Sequence, residues 1–531
     1  MKLSKILYTG GVLMLISYFP MLFNNGVYWD DWVLYNSSFE QLKSHFYGNG
    51  IWHWTYMHNF LLTIGGEYSP LLYHILSFFL FYLGFVFLTL IIRSLNIRNK
   101  NLLYVASLGI LVLPFFDAKT TMICFPYTIH TTLFLAATYL LLISIQTKKV
   151  GLRIFSLVLF FFSFHVQSLV VFYVFPLLLV VFFSEFKTDH TNYLSISYYF
   201  SKIKSQLDFF FLPVLFFVYK HFFLQPSGLY AEIGYNEITL IGLLKAPFMT
   251  LIFIAYQFYG ILIEIKEKVF SDLFGVVFFL CLGFILFIVI KKFFRLNISV
   301  LENREKLFLF LTGFILLFLA IFPYAVVGKM PSFMGYATRH QVLIPFGFSL
   351  IVVVLCTVII KRNNVSYLLL SIIISIFITT TFLQQVQYIK GWLKQESIAS
   401  SLDHISFDDT PSTVLVQDNT EYLDATERDL SFYSWAGILK LNKEKEHFFW
   451  IEVDEFYKRK PLLPNILSEK SRFNMTNYNL KDPEGILTIN GGDQPLTSAN
   501  SFRYVYLYYL DIERFEKEIV TILSFTEKNV E

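Results

Sequence analysis

Charge is scarce in this sequence. Only 15% of its 531 residues are Asp, Glu, Lys or Arg, against about 25% in an average soluble protein, while 55% are hydrophobic and 62 are Phe. That shortage excludes an ordinary soluble domain. Cysteine is scarcer still: Cys124, Cys281 and Cys356 lie in or beside apolar runs, which leaves no disulfide framework and no zinc-ligand spacing. A formal net charge of +3 is too small to suggest a nucleic-acid partner. No A-x-A-like cleavage site follows the first apolar run, so the lysine-bearing start and Ile6–Phe23 read as an uncleaved first span. Internal repeats and low-complexity linkers are also missing.

What is present is a series of apolar runs, and crossing a bilayer takes roughly 17–25 residues. The runs are Ile6–Phe23, Leu71–Ile92, Leu102–Phe116, Tyr127–Ile145, Phe209–Leu224, Leu240–Ile263, Leu273–Ile290, Leu307–Val327, Val342–Ile360 and Tyr367–Phe382. Two shorter ones, Leu152–Phe164 and Leu169–Phe183, flank His165-Val-Gln167 and read as a helical hairpin. Basic loops orient them, because Lys and Arg stay on the cytoplasmic side: Arg93/Arg98/Lys100, Lys148/Lys149/Arg153, Lys187/Lys202/Lys204, Lys291–Lys306 and Lys361/Arg362. Strict alternation from an inside N-terminus puts the Lys291–Lys306 cluster on the wrong side unless one run fails to cross. Leu240–Ile263 is the weakest, since it contains Lys245, Pro247 and Gln257. If it lies along the interface or re-enters, every basic loop is cytoplasmic and about 11 transmembrane helices remain.

The expected fold is a polytopic α-helical protein of the cell inner (cytoplasmic) membrane, with residues 1–384 as the membrane domain and 24–70 as its first extracytoplasmic loop. Residues 385–531 turn polar and read as a small extracytoplasmic α+β domain. Val386–His404 reads as a helix leaving the membrane, Thr413–Asp418, Phe448–Val453, Ile486–Asn490 and Tyr504–Tyr509 as strands, and Ile512–Leu523 as a helix.

This topology collects the chemistry on the outer side. Asp30 and Asp31 in Tyr28-Trp-Asp-Asp-Trp32 follow the first span directly, at a border that spares each acid roughly 2.5–3.5 kcal/mol of burial in hydrocarbon. One acid placed there can take a proton; the plainer reading is a solvated loop in an aromatic belt. Adjacent residues face different ways, so one acid is expected to be the base, Asp30, and the other to hold the loop. Asp117 is a second acid on the same side, open to the alternative of capping a helix or pairing with Lys119. Arg339, with Lys329 and His340 nearby, suits a phosphate, since a guanidinium offers two parallel hydrogen bonds; the alternative is contact with lipid headgroups. His53, His58, His74, His130, His165 and His221 also fall near outer ends of runs, but His53 and His58 are not at the i, i+4 spacing of a metal pair. Trp52, Trp54 and Tyr56 fit an amphipathic interfacial helix rather than the alternative of a sugar platform, and Gly228, Tyr230 and Tyr235 a carbohydrate groove.

The acid pair, the second outer acid, the aromatic first loop, the late Arg in Tyr336-Ala-Thr-Arg-His-Gln-Val-Leu-Ile-Pro345 and the polar C-terminal part together resemble the GT-C glycosyltransferases. Among these are protein O-mannosyltransferases, lipid A aminoarabinose transferase and the phage-type O-antigen glucosyltransferases, the last being nearest in plan. The resemblance implies an inverting transfer from a polyprenyl-phosphate-linked sugar to a glycan, lipid or protein acceptor at the bilayer. By that analogy Asp30 or Asp31 is the base, Asp117 orients acceptor or base, and Arg339 with His340 or Lys329 binds the phosphate. Asp-Asp stands where the mannosyltransferases have Asp-Glu, and no metal motif is visible, so a divalent metal is left open. Two other classes compete: a flippase or transporter of lipid-linked sugar, which calls for ionisable groups at the midplane and matching halves, and an O-antigen polymerase.

Overall fold

The computed structural model describes residues 2–35, 37–95, 100–183, 203–227, 231, 238–293, 303–359, 363–402, 413–425, 429–441, 449–467 and 480–529. Arg98, Lys187, Lys202, Arg295, Lys361 and Arg362 of the basic loops, and Gly228, Tyr230 and Tyr235, lie outside the described residues. The chain is mostly helical, with a small C-terminal sheet. Among the described residues, seven helices are long and apolar enough to cross a membrane: Leu3–Phe23, His53–Ser94, Met122–Thr147, Leu240–Val269, Leu273–Lys292, Asn303–Val326 and Tyr367–Ser401. Gly335–Gln341 with Ile344–Thr357, bent by 70°, makes an eighth as one broken span. This is a multi-pass membrane protein. Other runs form shorter apolar helices, among them Lys100–Val112, Val150–Ser163 and Leu207–Phe223.

Each helix satisfies its backbone internally, as hydrocarbon requires. Pro70 and Pro126 sit in the first turns of Ser69–Ser94 and Phe125–Thr147, where a missing N–H costs nothing. Buried hydroxyls turn back on their own helix: Ser17 donates to the Leu13 carbonyl, Thr89 to Phe85 and Thr138 to Phe134, each at 2.8 Å. Small residues set close approaches between helices. A Cβ on Gly347 would stand 2.4 Å from the Gly313 carbonyl oxygen, so Asn303–Val326 and Ile344–Ile359 pack backbone to backbone there.

The helix Leu240–Val269 was expected to lie flat, yet by length and composition it is one of the seven. Its contacts show where its two ends are. Gly242 packs on the Val326 carbonyl, at the end of Asn303–Val326. Glu264 accepts from Gln384 at 2.9 Å, and the Val269 carbonyl and Leu383 both pack on Gly275. Asn303–Val326 and Asn363–Ser401 flank the reversed helix Ile344–Ile359 and run the same way, so both ends of Leu240–Val269 meet the same end of the bundle.

Asn363–Ser401 is one helix of 39 residues, so Val386–His404 is not a separate element. Beyond it stands a four-stranded sheet of order β2-β1-β3-β4, with β1 Thr413–Asp418, β2 Phe449–Glu452, β3 Pro483–Gly491 and β4 Leu523–Asn529. β1 pairs in parallel with β2 and β3, and β4 runs antiparallel to β3. Helix Phe432–Leu441 crosses from β1 to β2, so the wiring is that of a βαβ unit rather than the expected α+β segregation. Tyr504–Tyr509 is not a strand: it lies in helix Ser501–Leu510, whose buried residues Ser501, Tyr504 and Val505 follow the helical period.

The long helix and the sheet share a buried ion cluster. The Lys394 ammonium, fully buried, bonds the carboxylate of Asp418 and both oxygens of Asp424 at 2.8 and 2.9 Å. Lys394→Met leaves two buried acids without their cation and is expected to cost about 3–5 kcal/mol. A thermal melt of the detergent-purified protein should show a lower midpoint; an unchanged one would mean these carboxylates are solvated.

Candidate functional site

Residues between helices build this site. Trp29 adopts a left-handed backbone, φ 54°, which turns the chain before the short helix Asp31–Leu34. Asp31 points inward and is fully buried. It accepts from the backbone N–H of Ile123 at 2.7 Å, of Met122 at 2.9 Å and of Tyr28 at 3.4 Å, so it ties the first loop to the start of the helix that carries Phe125–Thr147. Asp30 is half-buried and accepts a hydrogen bond from the Tyr433 hydroxyl at 3.0 Å.

Arg339 comes from the segment Gly335–Gln341. Its guanidinium lies 3.6 Å above the Tyr336 ring, and Tyr336 meets Trp29 edge-on at 5.7 Å. The Tyr336 hydroxyl feels the charges of both Arg339 and Asp30. Arg339 donates from Nε to His340 Nε2 at 3.1 Å. An accepting Nε2 leaves the proton of a neutral ring on Nδ1, and that buried Nδ1 has no hydrogen-bond partner. The half-buried Lys329 adds its charge to His340.

Asp117 is buried beside this group. The Ala118 N–H donates to the Thr338 hydroxyl at 3.1 Å, which clamps the Asp117 segment to the Arg339 segment. Tyr388 stands in the fields of both Asp117 and Asp31. Asp117 Oδ1 has no hydrogen-bond partner, and Lys119 turns to the Tyr18 hydroxyl, lying over the Tyr18 and Phe81 rings. Burial pushes the Asp117 carboxyl up and the Lys119 ammonium down from their ordinary ranges.

Asp30 and Arg339 thus act on one tyrosine, Tyr336, and Arg339 and Lys329 on one histidine, His340, while the Asp117 segment is bonded to the Arg339 segment. Sequence reasoning missed Tyr433, whose helix is pressed on the first loop: a Cβ on Gly437 would stand 2.2 Å from the Trp32 ring. It also missed that His53, His130 and His165, from separate elements, have ring nitrogens within 4.8 Å of one another. Spacing along the chain carries no signal for either. Comparison with protein-family models, curated proteins and solved structures finds no match to this chain.

Burial pushes the Asp31 carboxyl up to about 8, against the pull of its backbone donors. The usual carboxylate value is about 4, so the folded chain keeps a proton that the unfolded chain loses, and stability falls as pH rises between about 4 and about 8. Asp31→Asn has no such titration. The melting midpoint of the native protein should therefore drop relative to that of Asp31→Asn across this window; parallel curves would mean that Asp31 folds already ionised.

Proposed function

We propose that this chain is an integral-membrane glycosyltransferase that moves a sugar from a polyprenyl-phosphate donor to an extracytoplasmic glycan, lipid or protein acceptor. The observation that carries the reading is Tyr336, which joins the first loop at Trp29, the neighbour of Asp30, to a late arginine through one aromatic pair and one stacked guanidinium. The site residues come from segments between helices rather than from helix middles, which favours border chemistry over passage through the bilayer.

In this reading Asp30 takes the proton of the acceptor hydroxyl, with Tyr433 holding its other lone pairs in place. The acceptor oxygen forms a bond to the anomeric carbon from the face opposite the phosphate, and the carbon–oxygen bond to phosphate breaks with inversion. The electron pair leaves on a polyprenyl phosphate that is already anionic, so the leaving group needs charge stabilisation rather than a proton. Arg339, the unpartnered Nδ1–H of His340 and Lys329 supply it. Asp31 holds the loop, and the unpartnered oxygen of Asp117 is available to orient the acceptor.

The same reading takes Leu240–Val269 as a helix along the outer interface, because both its ends meet one end of the bundle. About eleven crossings then remain, the basic loops face the cytoplasm, and the sheet lies outside, as in the inner membrane of a bacterial-type envelope. In a background without Cys124, Cys281 and Cys356, an impermeant thiol reagent applied from outside should label a cysteine placed at Thr497 and not one at Lys292. Labelling of both, or of Lys292 alone, would defeat this topology.

Activity is tested in proteoliposomes with a panel of polyprenyl-phosphate hexoses, beside mass spectrometry of surface glycans from cells with and without the protein. Asp30→Asn should lose the chemical step by about 10²–10⁴-fold while donor binding persists. Arg339→Ala should abolish transfer in folded protein, and Arg339→Lys should restore it only in part, since an ammonium lacks the two-point grip. Full activity in both Asp30→Asn and Arg339→Ala would remove the transferase reading.

A further inference from the structure

Three histidines converge beside this site and take no part in the chemistry above. His53 opens the helix His53–Gly65, His130 lies near the start of Phe125–Thr147, and His165 sits in the break between Val150–Ser163 and Ser168–Phe172. One ring nitrogen of each lies within 4.8 Å of the other two, and the His53 and His165 rings are 4.0 Å apart, centre to centre. Rings so close bring lone pairs and N–H groups together without a protein acceptor between them.

The hydrogen bonds around them fix which nitrogens keep a lone pair. His130 Nδ1 meets the Pro126 carbonyl at 2.7 Å, and His165 Nδ1 meets the Phe162 carbonyl at 2.9 Å. A carbonyl only accepts, so each Nδ1 carries the proton and each Nε2 is left with its lone pair. A backbone carbonyl on the far nitrogen is also the support that metal-ligating histidines have. In His53 both ring nitrogens are buried without a hydrogen-bond partner, an arrangement that proteins otherwise avoid.

We infer that His53, His130 and His165 form a three-histidine site for a divalent transition-metal ion of the zinc type. Imidazole nitrogens about 2.0–2.1 Å from a tetrahedral zinc stand roughly 3.3 Å apart. The three donors therefore draw in by an ångström or so, and His53 moves without breaking a hydrogen bond. His53 is half-buried, while His130 and His165 are buried, so the His53 side is where a water completes the fourth position. Aromatic rings surround the rest: Trp52 and Trp54 beside His53, Phe216 beside His165. The ion would pin the first loop at a second point, since the element carrying His130 begins at the same Met122 and Ile123 that hold Asp31. This inference stands apart from the transferase reading, because it concerns binding of the ion itself.

The test uses full-length, tag-free protein in detergent, stripped by a chelator and titrated with Zn²⁺ alone or Co²⁺ alone. One ion per chain is expected, with the visible absorption of a four-coordinate Co²⁺ centre. His53→Ala removes a half-buried ring that has no hydrogen bond to lose, and His165→Asn provides a second variant; both should bind more weakly by more than the roughly 10–100-fold that follows loss of a supporting bond. His221→Ala, an exposed histidine, should bind as the native protein does. Native protein that takes up neither ion, or variants at His53 and His165 that bind with unchanged stoichiometry and affinity, would overturn the site.

Discussion

One polar stripe on one long helix holds the rest of the molecule in place. Thr381, Gln384, Gln385, Tyr388 and Gln395 fall on a single face of Asn363–Ser401 by their spacing, and between them they reach two segments. Thr381 bonds the Val112 carbonyl at 2.9 Å, Gln384 the Pro114 carbonyl at 3.3 Å, and Gln385 accepts from the Thr120 hydroxyl at 2.9 Å. Further along, the Tyr388 carbonyl accepts from the Tyr28 hydroxyl at 2.5 Å, and Gln395 bonds the Val27 carbonyl at 2.8 Å. Irregular backbone is tolerated near hydrocarbon only where something pairs its polar groups. The stripe does so for both the Asp117 segment and the first loop, and that is why two loops distant in sequence share a site.

The same stripe explains a misjudged boundary. Hydropathy falls at Gln384, and the fall reads as the end of a span followed by a separate polar helix. Gln and Tyr on a buried face look polar in sequence and behave as core, because carbonyls and hydroxyls of other segments pair with them. Hydropathy did find most of the long helices, since apolar runs and crossing length are read from one stretch at a time. The sheet was half legible for a related reason. β1, β2 and β3 alternate or run apolar between turn residues, whereas β4, Leu523-Ser-Phe-Thr-Glu-Lys-Asn529, is an edge strand of polar and charged residues and carries no strand signal. Tyr504–Tyr509 failed the other way: its β-favouring tyrosines pack from a helix, Tyr508 against Trp392 at 4.8 Å.

At the site, residue type and topology were enough to nominate Asp30, Asp31, Asp117 and Arg339, because a charge beside an apolar run is rare enough to stand out. Their pairings were not readable. Pairing with Lys119 was one alternative for Asp117: the two charges do influence each other, while the ammonium bonds the Tyr18 hydroxyl and lies over the rings of Tyr18, Phe81 and Phe116. Tyr433 and the histidine trio lie beyond sequence reasoning for the same reason: each contact joins residues far apart in the chain, and no period or motif encodes it.

The neighbours Asp30 and Asp31 owe their different surroundings to Trp29. A bulky residue at φ 54° carries strain on the order of 1–3 kcal/mol, which survives only where the surroundings over-determine it. Here they do. Tyr28 is bonded to the Tyr388 carbonyl before the turn, and Trp32 is wedged on Gly437 after it. Between those anchors the left-handed turn sends the Asp31 carboxylate inward to Ile123 and Met122 and leaves Asp30 toward Tyr433. Glycine at this position would relieve the strain, but it would remove the ring that meets Tyr336, the same ring on which Arg339 is stacked. The strained backbone and the aromatic side chain are therefore a single device: the first separates the two acids, and the second ties the first loop to the ring that carries Arg339.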